Sequence, residues 1–217
     1  MIGKGKSISH GVAALEYDLA KEIDGQAAAT EIARHELYGC TGAEMVQEMK
    51  PYFTDFPNVK NNCLRFEVSP SIEESSSFTD TDWAELGNDF MQRMGLMNHQ
   101  YIIIKHSGTE SKKKQAHLHI LANRISLSGE LYRDNWIGKR ATEAANAIAK
   151  ERNFVQSQDI GKANKEEIKE VMNSVLKKMQ GFDLTKFQEE LGKLGFKVRE
   201  ARASTGKLNG YYVTARS

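Results

Sequence analysis

The segment Tyr101–Arg124, YIIIKHSGTESKKKQAHLHILANR, restricts what this chain can fold into more than any other. An apolar run, Tyr101–Ile104, leads to His106. A polar loop with Lys112, Lys113 and Lys114 follows, and the chain returns through His117-Leu118-His119-Ile120-Leu121-Ala122-Asn123. Two β-type runs around a polar loop predict a hairpin, at about 99–107 and 115–126. Alternate side chains of a strand share a face, so His117 and His119 project together while Leu118, Ile120 and Ala122 point into the other layer. An antiparallel return brings His106 near the same spot. Three imidazoles on one face of a sheet suit a metal ion, although spacing alone leaves packing or hydrogen bonding level with that reading. His10, His35 and His99 have no such company and read as ordinary residues.

The remaining periodicities fill in the architecture. Residues 10–23 read as a helix with Val12, Leu15, Leu19 and Ile23 as its buried stripe and Tyr17 well off it. A short strand is expected over 29–36. Thr41 followed by Glu44 is a capping-box pattern opening a helix to about Phe53. Leu64, Phe66 and Val68 alternate with polar residues over 62–69, a half-buried strand that Pro70 ends. Glu73–Phe78 reads as a polar loop. Thr79 with Asp82 starts a helix that reaches Met94, with Gly95 as its cap. Ser128-Gly129 turns the chain after the hairpin. Helices are expected over 134–151, 164–179 and 183–193, the first two separated by a polar stretch at Ser157–Lys162. Two final strands join around Thr205-Gly206, in a tail that carries Lys197, Arg199, Arg202, Lys207 and Arg216 against Glu200. Strands at both ends of 1–126, with helices between, predict an α+β fold: a central, mainly antiparallel sheet covered by helices.

Composition matters mostly for what it excludes. No stretch has the roughly 18 uninterrupted apolar residues of a membrane span, and the opening MIGKGKSIS lacks a signal-peptide core. Cys40 and Cys63 show no metal-type spacing and read as free thiols of a cytoplasmic protein. The net charge of +1 leaves a nucleic-acid partner open, because a local patch matters more than the total.

The order of apolar strand, His106, polar loop, HLHI, Asn123-Arg124 and a turn at Gly129 resembles the conjugative relaxases, the mobilisation nucleases of the HUH endonuclease class. Ala14-Leu15-Glu16-Tyr17-Asp18-Leu19, after a Gly/Ser-rich strand and loop, is similar to the family's first helix with its nucleophilic tyrosine. Phe66-Glu67-Val68-Ser69-Pro70 resembles a second motif, a strand ending in serine and proline before an acidic loop. The resemblance covers about 1–155 as a nuclease domain. Residues 156–217 follow as a helical extension with a basic C-terminal hairpin.

That resemblance implies a metal-dependent single-strand DNA endonuclease and transesterase. It would nick and rejoin one strand at a plasmid or mobile-element origin of transfer. Tyr17 would be the nucleophile and Ser69 a hydroxyl that positions DNA or phosphate. His106, His117 and His119 would hold one divalent cation, manganese or magnesium before zinc, because substrate oxygens complete its shell. Asn123 would orient a ligand from behind. Lys105, Arg124 and the Lys112–Lys114 run would meet phosphates. Gly108 stands where the family often has an aspartate, with Glu110 a candidate substitute. Expected partners are single-stranded origin DNA, accessory mobilisation proteins and the transfer machinery, without membrane insertion. Two rival readings accompany this one: a metal-dependent phosphodiester hydrolase using water, and an inactive DNA-binding accessory protein of the same fold.

Overall fold

A computed structural model of the chain describes residues 1–23, 26–108 and 115–215. It divides into two compact units, Met1–Ser157 and Gln158–Ser217. The first begins with β1 (Ile2–Ile8), α1 (Gly11–Leu19), the short strands β2 (Glu22–Ile23) and β3 (Gln26–Ala27), β4 (Ala29–His35) and α2 (Gly42–Met49). After a 3₁₀ turn at Lys50–Phe53 come β5 (Cys63–Ser69), the single turn α3 (Ile72–Ser75), α4 (Asp80–Met94), β6 (His99–His106), β7 (His117–Ser126) and α5 (Ile137–Glu151). Five strands make one sheet in the order β1-β5-β7-β6-β4, and every neighbouring pair is antiparallel. The expected α+β fold is the one observed.

The period-2 pattern gives the sheet two different faces. Leu64, Phe66 and Val68 of β5 and Leu118, Ile120 and Ala122 of β7 enter one core with Trp83, Leu86 and Phe90 of α4 and Ala141, Ala145 and Ile148 of α5. Cys63, Ile102, Ile104 and Leu121 point the other way, into a second core with Leu15 of α1 and Met45 and Met49 of α2. Residues 83, 86, 87, 90, 91 and 94 of α4 are the buried ones, the i, i+3, i+4, i+7 stripe of a helix lying on a sheet. Thr79 caps that helix: its hydroxyl accepts from the Asp82 amide, and Asp82 accepts from the Thr79 amide. Gly95, at φ +71°, ends it in the left-handed conformation that costs glycine least.

Close approach of α5 to β1 depends on small residues. A Cβ at Gly3 would lie 2.5 Å from the Ala141 carbonyl oxygen and 2.6 Å from the Ala145 methyl. Gly3→Val is therefore expected to destabilise the fold by about 3 kcal/mol, the upper end of ordinary overpacking penalties. The measurement is the urea midpoint. An unchanged midpoint would mean that α5 can lift off β1 without loss.

Three local expectations need correction. The first helix stops at Leu19, and Glu22–Ile23 pair with Gln26–Ala27 instead of continuing it. Its buried face is Gly11, Ala14, Leu15 and Asp18, while Val12 is exposed. The face against Cys63 and α2 selects small side chains, since a Cβ at Gly11 would meet the Cys63 sulfur at 2.7 Å. Ile72–Ser75 is a helical turn within the expected loop, held by a capping box between Ser71 and Glu74.

The second unit contains α6 (Ser157–Lys178), α7 (Leu184–Lys193), β8 (Phe196–Arg202) and β9 (Leu208–Ala215). The polar stretch 157–162 belongs to α6. Only Val175 of that helix is fully buried, so its first turns carry no apolar stripe for a sequence reading to detect. Val175, Phe187, Leu191 and Phe196 form the unit's own core. Among the described residues no helix is long and apolar enough to cross a membrane.

Candidate functional site

Register brings the histidines together. In the β6–β7 ladder His106 pairs with His117, and His119 lies opposite Ile104. Alternation then puts all three rings on the α1 side of the sheet. Ring centroids are 4.4 Å apart for His106–His119, 4.9 Å for His117–His119 and 5.4 Å for His106–His117. One nitrogen from each lies within 4.8 Å of the others. Two bonds of ~2.1 Å meeting at a tetrahedral angle separate their donors by about 3.4 Å, so small ring rotations bring this set around one cation. The donor set fits a metal ion.

Hydrogen bonds fix two of the tautomers. His106 Nε2 donates to the Asp18 carbonyl at 2.7 Å, which leaves Nδ1 with its lone pair. His117 Nδ1 donates to the Gln115 carbonyl at 3.2 Å, leaving Nε2, which lies 3.1 Å from His119 Nε2. Burial lowers the pKa of His106, against the raising influence of Asp18, and so favours the neutral imidazole that a metal requires. Gln115 also donates to the Pro70 carbonyl, tying the return of the hairpin to the end of β5.

Asp18 is a residue the sequence reading passed over. It is 1% exposed and receives both arms of the Arg65 guanidinium, Nε to Oδ2 at 3.2 Å and Nη2 to Oδ1 at 2.5 Å. Arg65 Nη2 also lies 3.3 Å from His119 Nδ1, and the Asp18 carboxylate lies 3.8 Å from the same nitrogen. Burial is the largest influence on the Asp18 carboxyl and pushes its pKa up, while Arg65 pulls it down. The signals were there: Asp18 falls on the 11/14/15/18 stripe of α1, and Arg65 lies on the face of β5 opposite Leu64 and Phe66. Both needed the long-range pairing of β5 with β7 to acquire meaning.

Tyr17 is 61% exposed on α1, next to the residue that binds His106, with Lys21 Nζ 5.5 Å from its ring centroid. Ser69 is buried at the end of β5, paired with Ile2, and alternation puts it on the face of Arg65 and Glu67. Beside His119 runs a groove of about 230 Å³ lined by Lys4, Lys6, Arg65 and Glu67. Lys4 and Glu67 are bonded across it at 3.0 Å.

Other candidates are engaged elsewhere. Lys105 projects from the opposite face to His106 and pairs with Asp80 at the start of α4. Arg124 is held by Asp134, the Tyr132 carbonyl and the Asn61 carbonyl. Asn123 is fully buried, donates to Gln100 and accepts from the Ile125 amide, four residues along β7 from His119. Glu110 and Lys112–Lys114 lie outside the described residues. Gly108 offers no side chain, and a carboxylate reaches the histidines from Asp18. His99 donates to the Asn123 carbonyl at 2.9 Å, and burial lowers its pKa. Burial pushes the Cys63 thiol up to about 12, an inert core residue.

The family model for relaxases, described as MobA/VirD2-like, nuclease domain, matches residues 17–154 and so opens at Tyr17. Among solved structures, the chain is similar to the metal-bound complex of the conjugative relaxase TrwC with oriT DNA. Identity there is 11%, the match covers 95% of this chain and 74% of that one, and the TM-score is 0.39. A copper-bound complex of the same relaxase with oriT DNA gives 11% identity, coverage of 95% and 75%, and a TM-score of 0.37. No curated protein matches.

Proposed function

The chain belongs to the MobA/VirD2-like relaxase nuclease family, and on that premise we propose that it nicks and rejoins one DNA strand at an origin of transfer through Tyr17. The Tyr17 oxygen attacks the scissile phosphorus, the bond from phosphorus to the 3′ oxygen breaks, and the 3′ hydroxyl leaves with a proton. The 5′ phosphate stays on the protein as a phosphotyrosyl ester. Exchange of one phosphodiester for another conserves the bond energy, so the 3′ hydroxyl can reverse the step. One observation carries this reading: the carbonyl of the residue directly after an exposed tyrosine accepts a hydrogen bond from His106, one ring of a cluster of three imidazoles.

His106, His117 and His119 would hold a divalent cation, manganese or magnesium before zinc. When bound, that ion polarises the phosphate and stabilises the charge that grows on its oxygens. The protein's own groups do the rest. The solvent exposure of Tyr17 lets its phenolic proton pass to water. Lys21 places a cation by the ring that receives the phosphate. Ser69 and the Lys4–Lys6–Arg65 side of the groove would steady the flanking backbone. Accessory mobilisation proteins would bring the complex to the transfer machinery.

Asp18 we read as a positioning residue. Its carboxylate lies 3.8 Å from His119 Nδ1 and holds the Arg65 guanidinium that points at that nitrogen from 3.3 Å, so it would orient the His119 ring toward a cation. Carboxylates behind metal-bound histidines commonly contribute 10–100-fold in affinity. Asp18→Asn is expected to weaken manganese binding by about that factor. It should also lower thermal stability, because Arg65 loses its buried counter-charge. Wild-type manganese affinity in a destabilised Asp18→Asn protein would reduce Asp18 to a purely structural role.

The direct test is incubation with a panel of single-stranded transfer-origin oligonucleotides plus manganese, followed by denaturing electrophoresis. A protease-sensitive, slow-migrating DNA–protein adduct is the expected product. Cleavage without adduct would favour a hydrolase, and binding without cleavage an inactive accessory protein.

A further inference from the structure

The two units differ in charge. Residues 1–157 contain 18 Lys/Arg against 21 Asp/Glu, and residues 158–217 contain 12 against 8. A nuclease unit with a negative balance is a poor general attractor for a polyanion, and the positive excess is concentrated elsewhere. Within β8, β9 and their turn stand Lys197, Arg199, Arg202 and Lys207 against Glu200 alone.

Pairing in that hairpin sorts these residues by face. Phe196 and Val198 of β8 and Val213 of β9 turn inward, against Phe187 and Leu191 of α7. The alternate positions turn outward as the cross-strand pairs Lys197–Thr214, Arg199–Tyr212 and Ala201–Gly210. This open face holds two cations, a tyrosine 65% exposed and no carboxylate. Glu200 lies at an inward-type position and binds Arg202. Beyond Tyr212 the face is low, since Ala201 is small and Gly210 has open space where a Cβ would be. Directly paired side chains on one face are about 5 Å apart at Cβ, so the Arg199 guanidinium reaches the edge of whatever lies on the Tyr212 ring.

We propose that this open face of β8 and β9 is a second binding surface for single-stranded DNA, with a base stacked on Tyr212 and the flanking phosphates held by Lys197 and Arg199. A flat exposed ring beside cations is the arrangement that binds unpaired nucleotides regardless of sequence. The inference rests on the reading of DNA as the substrate and is independent of the nicking step. Its use follows from that step: the cut strand bearing the 3′ hydroxyl has no covalent link to the protein. A second site on the same chain keeps the local concentration of that strand high for rejoining.

The test is fluorescence anisotropy of the full chain with a labelled mixed-sequence single-stranded oligonucleotide, in EDTA so that no cleavage occurs. Tyr212→Ala is expected to weaken binding about tenfold, while Tyr212→Phe, which keeps the ring, retains wild-type affinity. Lys197→Gln with Arg199→Gln should flatten the slope of log affinity against log salt by about 1.4, two phosphate contacts at ~0.7 each on single strands. Lys162→Gln on α6 removes the same kind of charge off the face and should change little. Folding of each variant is checked by circular dichroism. Equal binding by the wild type and the Tyr212→Ala and Lys197/Arg199 variants overturns the proposal, as does a preference for duplex DNA on which Tyr212→Ala has no effect. If the wild type binds no DNA at all, the reading of the substrate fails as well.

Discussion

Tyr17→Phe is expected to abolish the covalent DNA adduct while leaving single-strand binding within about twofold of wild type. Only one oxygen is removed, from a ring that is largely in solvent, so neither the core nor the α1–α2 packing is disturbed. Loss of a covalent nucleophile costs roughly 10⁴-fold or more when nothing replaces it. Two phenols on and beside the hairpin are committed away from the His106–His117–His119 cluster. Tyr101 is buried against Asn88 and stacks with His35 on the other face, and Tyr132 is committed to the Met94 carbonyl and Arg140. Denaturing electrophoresis after incubation with manganese reads the adduct, and anisotropy in EDTA reads the binding. An adduct that persists in the Phe variant would show that Tyr17 is not the nucleophile. Cleavage that persists without adduct would move the protein to the hydrolases. Tyr17→Phe also separates chemistry from retention of the strand, since it leaves the outward face of β8 and β9 unaltered.

Much of this architecture is written locally. The alternation in Leu64, Phe66 and Val68 and in Leu118, Ile120 and Ala122 needs nothing beyond the two-residue period of a strand. The caps at Thr41 and Thr79 need only four residues each. Convergence of His106, His117 and His119 was likewise legible, because one hairpin supplies all three. What stayed hidden depends on distant pairing. Lys105 is next to His106 in sequence, yet one step along a strand moves a side chain to the other face, where Asp80 takes it. Arg124 and Asn123 looked like site residues from their place after HLHI, but the end of β7 is a structural corner, tied to Asn61, Gln100 and Asp134. Asp18 was hidden for a different reason. A carboxylate on the buried stripe of a helix reads as a break in amphipathicity until Arg65, forty-seven positions away, is seen to meet it.

The second large effect is expected at the metal centre. His119→Ala should lower manganese affinity on the order of 10³-fold, well beyond the 10–100-fold loss typical of outer-sphere partners. His119 is the middle ring of the cluster, nearest to His106, in contact with His117 Nε2 and backed by both Asp18 and Arg65. Its removal takes away a donor and the link between the other two. His117→Ala should lose a similar amount for a different reason, because its Nδ1–H bond to Gln115 fixes Nε2 as the donor. His99→Ala serves as the contrast. That ring is also buried on the hairpin, but its partners are the Asn123 carbonyl and Tyr132, so its loss should reduce stability and spare metal affinity. Isothermal titration with manganese and a thermal melt on each variant separate the two effects. If His119→Ala and His99→Ala lose stability alike and bind manganese like wild type, the three imidazoles are a packing cluster, and the chemistry assigned to Tyr17 has no cation to work with.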